Sequence, residues 1–151
     1  MMGKAKVLIS ACLIGEPCRY DGGNSIKTNL MEKLSDKTLI PVCPEVEGGL
    51  STPRPPAEIV VDRVLRENGT DVTEHFRRGA EQALSIAKEN EASLAILKSR
   101  SPSCGCGQVY DGTFSATLVS GDGITTLLLK SQGISCISDE NYLRMQSDPF
   151  E

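Results

Sequence analysis

Residues 94–107, LAILKSRSPSCGCG, join a short apolar run to a turn that carries two cysteines. The run from Leu94 to Leu97 has the length and apolar character of a buried strand, and the Pro and Gly residues that follow prevent the strand from continuing. Cys104 is therefore predicted to lie just beyond the carboxyl end of a strand. Because ligand sites of open α/β sheets form at this edge, the stretch predicts both an element of the fold and the place of a site.

Two other cysteines repeat this arrangement. Cys12 follows the apolar run KVLIS at 6–10, and Cys43 follows TLIPV at 38–42. Cys12, Cys43 and Cys104 are separated by 31 and 61 residues, which matches no local zinc-knuckle or ferredoxin-type spacing. Since parallel strands place their carboxyl ends at one edge of a sheet, we expect the three thiols to converge there. Each cysteine can instead be a small buried hydrophobic residue.

Helical patterns alternate with these strands along the chain. The strands and helices predicted from apolar periodicity lie, in chain order, at 5–10, 25–35, 38–42, 73–90, 93–97, 124–131 and 134–137. This alternation is typical of a parallel sheet with helices on its faces. We therefore predict one α/β domain over residues 1–151, with a mainly parallel sheet flanked by helices in a Rossmann-like three-layer arrangement. Long cysteine-bearing loops are expected at the carboxyl ends of the strands.

Two hairpins and one long loop complete the predicted organisation. Residues 58–72 are predicted to form a hairpin with Asn68-Gly69 as its turn signal, and residues 108–120 to form another around Asp111-Gly112. Residues 43–56 are rich in Pro and Gly and are expected to form a long, stiff, ordered loop. Loops of this length within compact domains are usually functional or disordered, and the regularly placed prolines favour an ordered, functional loop that includes Cys43.

Composition limits the classes of function. The net charge of −4 and pI near 5.1 provide no basic surface, so binding to a nucleic-acid backbone is not expected. An aromatic content of 4% without Trp argues against a base-stacking platform for single-stranded nucleic acid. Six cysteines are too few for a disulfide scaffold, and no apolar run is long enough for a secretion signal or a membrane span. These features predict a reducing, cytoplasmic location.

The remaining cysteines are weaker candidates for metal ligands. Cys18 is close enough to Cys12 to reach the same edge of the sheet, and Cys106 lies two residues after Cys104. Either can be a further ligand, and Cys106 can also form a strained disulfide with Cys104 or have no special role. Cys136 lies within an apolar strand, which favours a position in the core.

Several polar residues accompany the cysteines. Glu45 follows Cys43 by two residues, so it is a candidate general acid or base beside a metal, although a loop carboxylate can also be merely solvated. Ser101, in the Cys104 loop with Ser103, can orient water or a substrate carbonyl, or can satisfy its own turn.

The basic residues also have two interpretations. Arg19, Arg54 and Arg100 lie in the three loops, where a guanidinium can hold a carbonyl or carboxylate group or form a structural ion pair. His75, the single histidine, is expected on the surface at the start of a helix, which disfavours a Cys-His nucleophilic dyad.

Six separated motifs follow one another along the chain: SACLIG (10–15), RYDG (19–22), PVCPEV (41–46), GGL (48–50), TPR (52–54) and SPSCG (101–105). With these motifs in this order, the chain resembles the bacterial 2-thiouracil desulfidase family over nearly its whole length. The resemblance implies a 4Fe-4S cluster held by Cys12, Cys43 and Cys104, with the fourth iron free. It also implies that Glu45 and Ser101 assist catalysis.

The implied reaction converts 2-thiouracil into uracil and hydrogen sulfide without net redox change. The expected partner is a small thiolated nucleobase or a derivative of it; the free base, a nucleoside, a nucleotide and thiolated RNA all stay open as substrates. The sequence does not determine the oligomeric state.

Two alternatives are kept beside this hypothesis. In the first, a zinc or iron–sulfur centre ties three loops together without catalysis. In the second, the chain is a thiol redox or sulfur-carrier protein that uses Cys104 and Cys106.

Overall fold

The computed structural model describes residues 5–145, which form eight strands and five helices. The strands are β1 (Lys6–Ser10), β2 (Thr38–Val42), β3 (Ala57–Val60), β4 (Arg63–Arg66), β5 (Leu94–Leu97), β6 (Gln108–Tyr110), β7 (Leu118–Ser120) and β8 (Ser135–Ser138). The helices are α1 (Thr28–Lys33), α2 (Pro44–Glu47), α3 (Thr73–Glu89), α4 (Ile124–Ser131) and α5 (Asp139–Arg144), and a 3-10 turn, Ala11–Ile14, follows β1. No helix in this part of the chain has both the length and the apolar character needed to span a membrane.

A four-stranded parallel sheet forms the centre of the molecule, with the strand order β2-β1-β5-β8. Ile9 of β1 lies opposite Pro41 of β2 and Ile96 of β5, and Ile96 lies opposite Ile137 of β8. The chain leaves β1 for β2 on one side and later returns to β5 on the other. The loops after β1 and β5 therefore diverge at a topological switch point, where open α/β sheets bind ligands.

The two faces of the sheet are covered by different helices. Leu8 of β1 packs in a core with Ala83 and Ala87 of α3 and Leu129 of α4. The neighbouring residues Val7 and Ile9 point to the opposite face, where the core also contains Leu30, Leu34 and Tyr142 from the α1 and α5 side. Successive side chains of β1 point to opposite faces of the sheet and thus contribute to both cores. The predicted parallel α/β sheet flanked by helices is confirmed.

The β3–β4 hairpin packs outside the sheet, against α3. Val64 joins Val72 and Phe76 in a small third core beneath it. Its tight turn lies at Val61-Asp62, so the predicted turn at Asn68-Gly69 is wrong. The Asn68-Gly69 segment instead forms a second turn, in which the Arg66 amide donates to the Thr70 carbonyl. The hairpin predicted around Asp111-Gly112 is present as β6 and β7.

The helices of the structure differ from the sequence-based prediction at three places. The first helix begins at Thr28 rather than at residue 25, because the Ser25 amide donates to the Cys12 carbonyl and holds that segment on the loop after β1. The loop expected over 43–56 contains the short helix α2, with Pro44 at its first position, where the missing N–H costs no hydrogen bond. Helix α5 was not predicted; the Ser138 hydroxyl caps it by accepting from the Asn141 amide.

Candidate active site

A cavity of about 610 Å³ lies at the carboxyl ends of β1, β2 and β5. Cys12, Cys43 and Cys104 all line it, as do Glu45 and Ser101. The structure therefore brings together all five residues that the sequence singled out. It does so although they come from three separate segments of the chain.

Cys12 is placed by the 3-10 turn that follows β1. The Cys12 side chain belongs to the core on the α1 and α5 face, with Leu13 fully buried beside it. The Cys12 carbonyl accepts from the Ser25 amide at 2.8 Å, and Gly15 ends the turn in the left-handed conformation with φ 102°. Cys12 is consequently held at both its side chain and its backbone.

Cys43 is the residue that precedes the first turn of α2. Two glycines allow α2 to pack closely against α3. A Cβ atom at Gly79 of α3 would lie 1.8 Å from the carbonyl oxygen of Pro44. A Cβ atom at Gly48 would lie 1.9 Å from the carbonyl oxygen of His75. Only hydrogen at these positions permits the approach, so the two glycines determine where Cys43 and Glu45 enter the cavity.

The Cys104 loop is fastened to the start of α4. The amides of Ile124 and Thr125 donate to the carbonyls of Pro102 and Ser103, both at 2.9 Å. The Thr126 hydroxyl donates to the Cys104 carbonyl at 3.0 Å, and the hydroxyls of Ser103 and Thr125 lie 2.7 Å apart. The free backbone donors at the helix start are thereby used to hold the loop rather than a ligand.

Glu45 faces a buried arginine. Arg54, of which 7% is exposed, donates from the Nε of its guanidinium to Glu45 Oε1 at 3.1 Å. Burial raises the pKa of Glu45 above its usual value, and the charge and hydrogen bond of Arg54 oppose that rise. A carboxyl with a raised pKa that is still paired with a cation is a candidate general acid or base.

Ser101 serves its own turn and also lines the cavity. Its Oγ accepts from the amides of Ser103 and Cys104, each at 3.0 Å. A hydroxyl has two acceptor sites and one hydrogen, so these bonds leave the Ser101 hydrogen free to be donated elsewhere. The structural role considered from the sequence and a donor role are therefore compatible.

Cys18 is the fourth thiol in the cavity. Hydrogen bonding to the Cys18 side chain is the main reason that the pKa of Cys12 is lowered and that of Cys43 falls to about 7. The pKa of Cys18 itself is raised, because its proton is shared with these two neighbours. Burial raises the pKa of Cys104. The structure thus joins Cys18 to the cysteine group, one of the two options that the sequence left open.

Cys106 is directed away from the cavity and does not join Cys104 there. Its Sγ lies 3.4 Å from the carbonyl oxygen of Cys136, to which it donates. Cys136 is half-buried at the edge of the core on the α3 and α4 face, and burial raises its pKa to about 12. Cys12, Cys18, Cys43, Cys104, Cys106 and Cys136 are all free thiols.

The arginines of the three loops are each paired with a carboxylate. Arg19 lies 3.5 Å from Asp21, and Arg100 contacts both carboxylate oxygens of Glu140 at 2.9 and 2.8 Å. Together with the Arg54 pair, these contacts favour the structural interpretation. His75 is not simply a surface residue, since its Nδ1 lies 2.9 Å from the Gly48 carbonyl oxygen and ties α3 to α2.

Other residues at the cavity were not identified from the sequence. They include Tyr20, Glu58, Lys98, Tyr110 and Phe114. Burial lowers the pKa of Lys98, which follows β5 directly and was therefore detectable by the same strand-end argument. Glu58, Tyr110 and Phe114 come from the two hairpins, whose position over the sheet no local pattern predicts.

The donors at this cavity fit an iron–sulfur cluster. Thiolates are the usual ligands of such clusters, and hydrogen bonding to Cys18 lowers the pKa of Cys12 and of Cys43 in favour of the thiolate. Among residues 5–145, no three His, Cys, Asp or Glu side chains stand close enough to hold one metal ion. The cysteines of a cluster bind different iron atoms and need not meet at one point, so this finding disfavours a single zinc ion more than a cluster.

Comparison with known proteins agrees with this chemistry. A model of the 2-thiouracil desulfurase family matches residues 7–141, and the chain belongs to that family. The chain is 41% identical over 143 residues to the uncharacterized protein YbbK of Bacillus subtilis (strain 168), with 88% of this chain and 95% of YbbK covered. Among solved structures, it is similar to the 4Fe-4S-dependent thiouracil desulfidase TudS, with a TM-score of 0.87, 45% identity, and coverage of 91% of this chain and 93% of that one.

Proposed function

We propose that this protein is an iron–sulfur-dependent desulfidase that converts 2-thiouracil, or a close derivative, into uracil and hydrogen sulfide. The convergence of Cys12, Cys43, Cys104 and Glu45 on one cavity carries the proposal. Membership of the family supports the desulfidase activity, and similarity to TudS supports the 4Fe-4S cofactor.

Cys12, Cys43 and Cys104 would hold the cluster, one iron atom each, and the remaining iron would have no protein ligand. When bound, the cluster supplies a Lewis-acidic iron with affinity for the soft sulfur of a thiocarbonyl group. The cavity of about 610 Å³ lies at the switch point of the sheet and has the volume of a typical small-molecule site.

Glu45 is the general base of the proposed reaction. It takes a proton from the water whose oxygen attacks the thiocarbonyl carbon, and Arg54 holds the carboxyl in place through Nε. The carbon–sulfur bond then breaks, and the sulfur leaves with two protons as hydrogen sulfide. Water supplies the oxygen of uracil, so the reaction is a hydrolysis and no electrons are gained or lost.

Ser101 supplies a hydrogen-bond donor. Because its oxygen already accepts from the amides of Ser103 and Cys104, its hydroxyl hydrogen is available to the substrate ring or to the attacking water. The same two amide bonds restrict the hydroxyl's position, so the donor is preorganised at little entropic cost.

A reducing compartment suits this chemistry. Six free thiols, four of them lining one cavity, are typical of a reducing compartment, where thiols stay reduced. We therefore assign the protein to the cytoplasm as part of the proposal.

Anaerobic reconstitution tests the proposed function. We expect about four iron atoms and four acid-labile sulfides per chain, and release of sulfide from 2-thiouracil as its thiocarbonyl absorbance falls. Cys12→Ser, Cys43→Ser and Cys104→Ser should lose iron and activity, whereas Cys106→Ser and Cys136→Ser, outside the cavity, should keep both. Glu45→Gln should keep the cluster spectrum and lose turnover.

The alternatives predict different outcomes in the same experiment. Retained zinc in place of iron, with no turnover, would support a structural metal module. Loss of activity in Cys106→Ser together with its retention in Cys12→Ser would support a thiol-based sulfur carrier. Full turnover in Glu45→Gln would remove Glu45 from the mechanism.

A further inference from the structure

The few aromatic residues of this chain are concentrated at the cavity. The sequence has three Phe, three Tyr and no Trp. Tyr20, Tyr110 and Phe114 line the cavity, while Phe76 and Tyr142 are buried in the core. Half of a small aromatic set therefore faces one site, although the overall composition argued against a stacking surface.

Phe114 does not belong to the core. Among the described residues, three clusters of buried apolar side chains make up the core, and Phe114 is in none of them. It is half-buried in the connection between β6 and β7 and has a positive φ of 58°, which is unfavourable for a residue with a side chain. Such a conformation persists only where the surroundings impose it.

Glu58 of β3 imposes that conformation. The residue is only 9% exposed, and its Oε1 accepts from the amides of Gly112 and Phe114 at 3.0 and 3.2 Å. Gly112 permits the close approach, because a Cβ atom there would lie 2.7 Å from the Ile59 carbonyl oxygen. A carboxylate from one hairpin thus fixes the loop of the other at the cavity.

Hydrogen bonds within the loop between β6 and β7 also stabilise its conformation. Asp111 Oδ1 accepts from the amide and the hydroxyl of Thr113 at 2.9 and 2.6 Å, and the Asp111 amide donates to the Thr117 carbonyl at 2.9 Å. The phenyl group is therefore presented on a preorganised backbone, which limits the ordering cost of binding.

We propose that Tyr110 and Phe114 form an aromatic wall that stacks on the planar ring of the substrate, and that Glu58 is the positioning residue that holds Phe114 in this wall. The inference rests on the proposed function for the identity of the ring. A flat, uncharged heteroaromatic ring has the shape and polarisable face that such a wall recognises. Stacking acts equally on the bound substrate and on the transition state, so it determines affinity more than turnover.

Binding of uracil to the cluster-loaded protein tests the wall directly, because uracil has the ring and lacks the reacting sulfur. Calorimetry should show that Phe114→Ala and Phe114→Leu raise the dissociation constant of uracil by at least about five-fold. This factor corresponds to the lower end of the range of free energies for a base stacked on an aromatic side chain. Phe114→Tyr, which keeps an aromatic ring, should retain most of the parent protein's affinity for uracil. KM for 2-thiouracil should rise in parallel in Phe114→Ala, with a much smaller change in kcat.

Glu58 variants test the positioning role. Glu58→Ala should weaken uracil binding as Phe114→Ala does, whereas Glu58→Gln should restore it because an amide oxygen accepts the same two bonds. Val119→Ala, on an exposed position of the same hairpin, should leave the dissociation constant unchanged. The double variant Phe114→Ala/Glu58→Ala should bind uracil about as weakly as either single variant, because both substitutions remove the same contact between Phe114 and the ring.

The outcomes separate this inference from the proposed function. Unchanged uracil affinity in Phe114→Ala or in Phe114→Leu would overturn the stacking wall, and so would failure of the parent protein to bind uracil. Weakened binding in Phe114→Ala with unchanged binding in Glu58→Ala would overturn the role of Glu58. A parent protein that binds uracil and releases no sulfide from 2-thiouracil would overturn the proposed function while the binding measurements still decide on the wall.

Discussion

Arg54 donates from Nε to Glu45 at 3.1 Å and, through Nη2, to the carbonyl of Cys18 at 2.9 Å. One buried guanidinium thus connects the proposed general base to the loop that carries the fourth thiol. Arg54 has two further bonds to its own loop, to the Ser51 carbonyl and the Thr52 hydroxyl, and its amide donates to the Tyr20 carbonyl in the loop that carries Cys18. The charge of Arg54 therefore lowers the pKa of Glu45, and its fixed position orients the Glu45 carboxyl.

Removal of the Arg54 charge should move the acid side of the pH–rate profile. Burial raises the pKa of Glu45 and Arg54 opposes the rise, so Arg54→Met should raise that pKa further. Because a general base works in its ionised form, the midpoint of the acid limb of kcat should move to higher pH. Arg54→Lys, which keeps the charge, should move it less. An unmoved midpoint in Arg54→Met, with cluster content intact, would contradict the base assignment.

Gly79→Ala should destabilise the protein although alanine favours helices. Alanine gains roughly 0.5–1 kcal/mol over glycine within a helix. At this position its Cβ would overlap the Pro44 carbonyl oxygen at 1.8 Å, and forced overlap costs about 1–3 kcal/mol or more. Denaturant unfolding should show a net loss, and iron content should fall because Cys43 is displaced. Ser85→Ala, on the exposed side of α3, is the control and should have little effect; a stabilised Gly79→Ala protein would contradict the packing argument.

Thr126→Val should loosen the Cys104 loop at nearly constant volume. The substitution leaves the Cys104 carbonyl without the hydroxyl that donates to it at 3.0 Å in a fully buried position. We expect a loss of about 1–3 kcal/mol in the free energy of unfolding and faster release of iron in air. Ser131→Ala removes a hydroxyl bond from the exposed end of the same helix and should leave iron release unchanged. Equal iron release in both variants would show that Thr126 does not support the loop.

Asp139 should make stability depend on pH in the acid range. Burial raises the pKa of this carboxyl, but bonds from Lys27 and the Ser99 amide more than offset burial, so its pKa lies below the usual value. A carboxyl with a lowered pKa stabilises the fold above its unfolded pKa of roughly 3.9, and that stability disappears as the pH falls through the folded pKa.

Asp139→Asn should therefore lower the free energy of unfolding at pH 7 by about 1–3 kcal/mol. The difference from the parent protein should shrink as the pH falls below about 4. Glu81→Gln, on the exposed surface of α3, should follow the parent at every pH. A constant difference between Asp139→Asn and the parent across this range would show that the charge of Asp139 does not stabilise the fold.

Local features were enough to predict the sheet and the cysteine group. Strands β1, β2 and β5 are short apolar runs, and a cysteine lies in the loop or turn that follows each of them. Strand ends of a parallel sheet share an edge regardless of side-chain detail, so Cys12, Cys43 and Cys104 could be assigned to one place. Short elements were less predictable: α5 has only six residues, and the Asn68-Gly69 signal marked a real turn in the wrong position of the hairpin.

The sequence by itself determined the three-layer fold and the edge at which the thiols meet, because periodicity and turn residues act on neighbours along the chain. Only the tertiary structure decided that Cys18 joins these thiols while Cys106 turns toward Cys136. It also decided that Arg54 faces Glu45 and that Glu58 holds Phe114 at the cavity. Such contacts depend on the distance and orientation of packed elements, which no spacing within a single segment encodes.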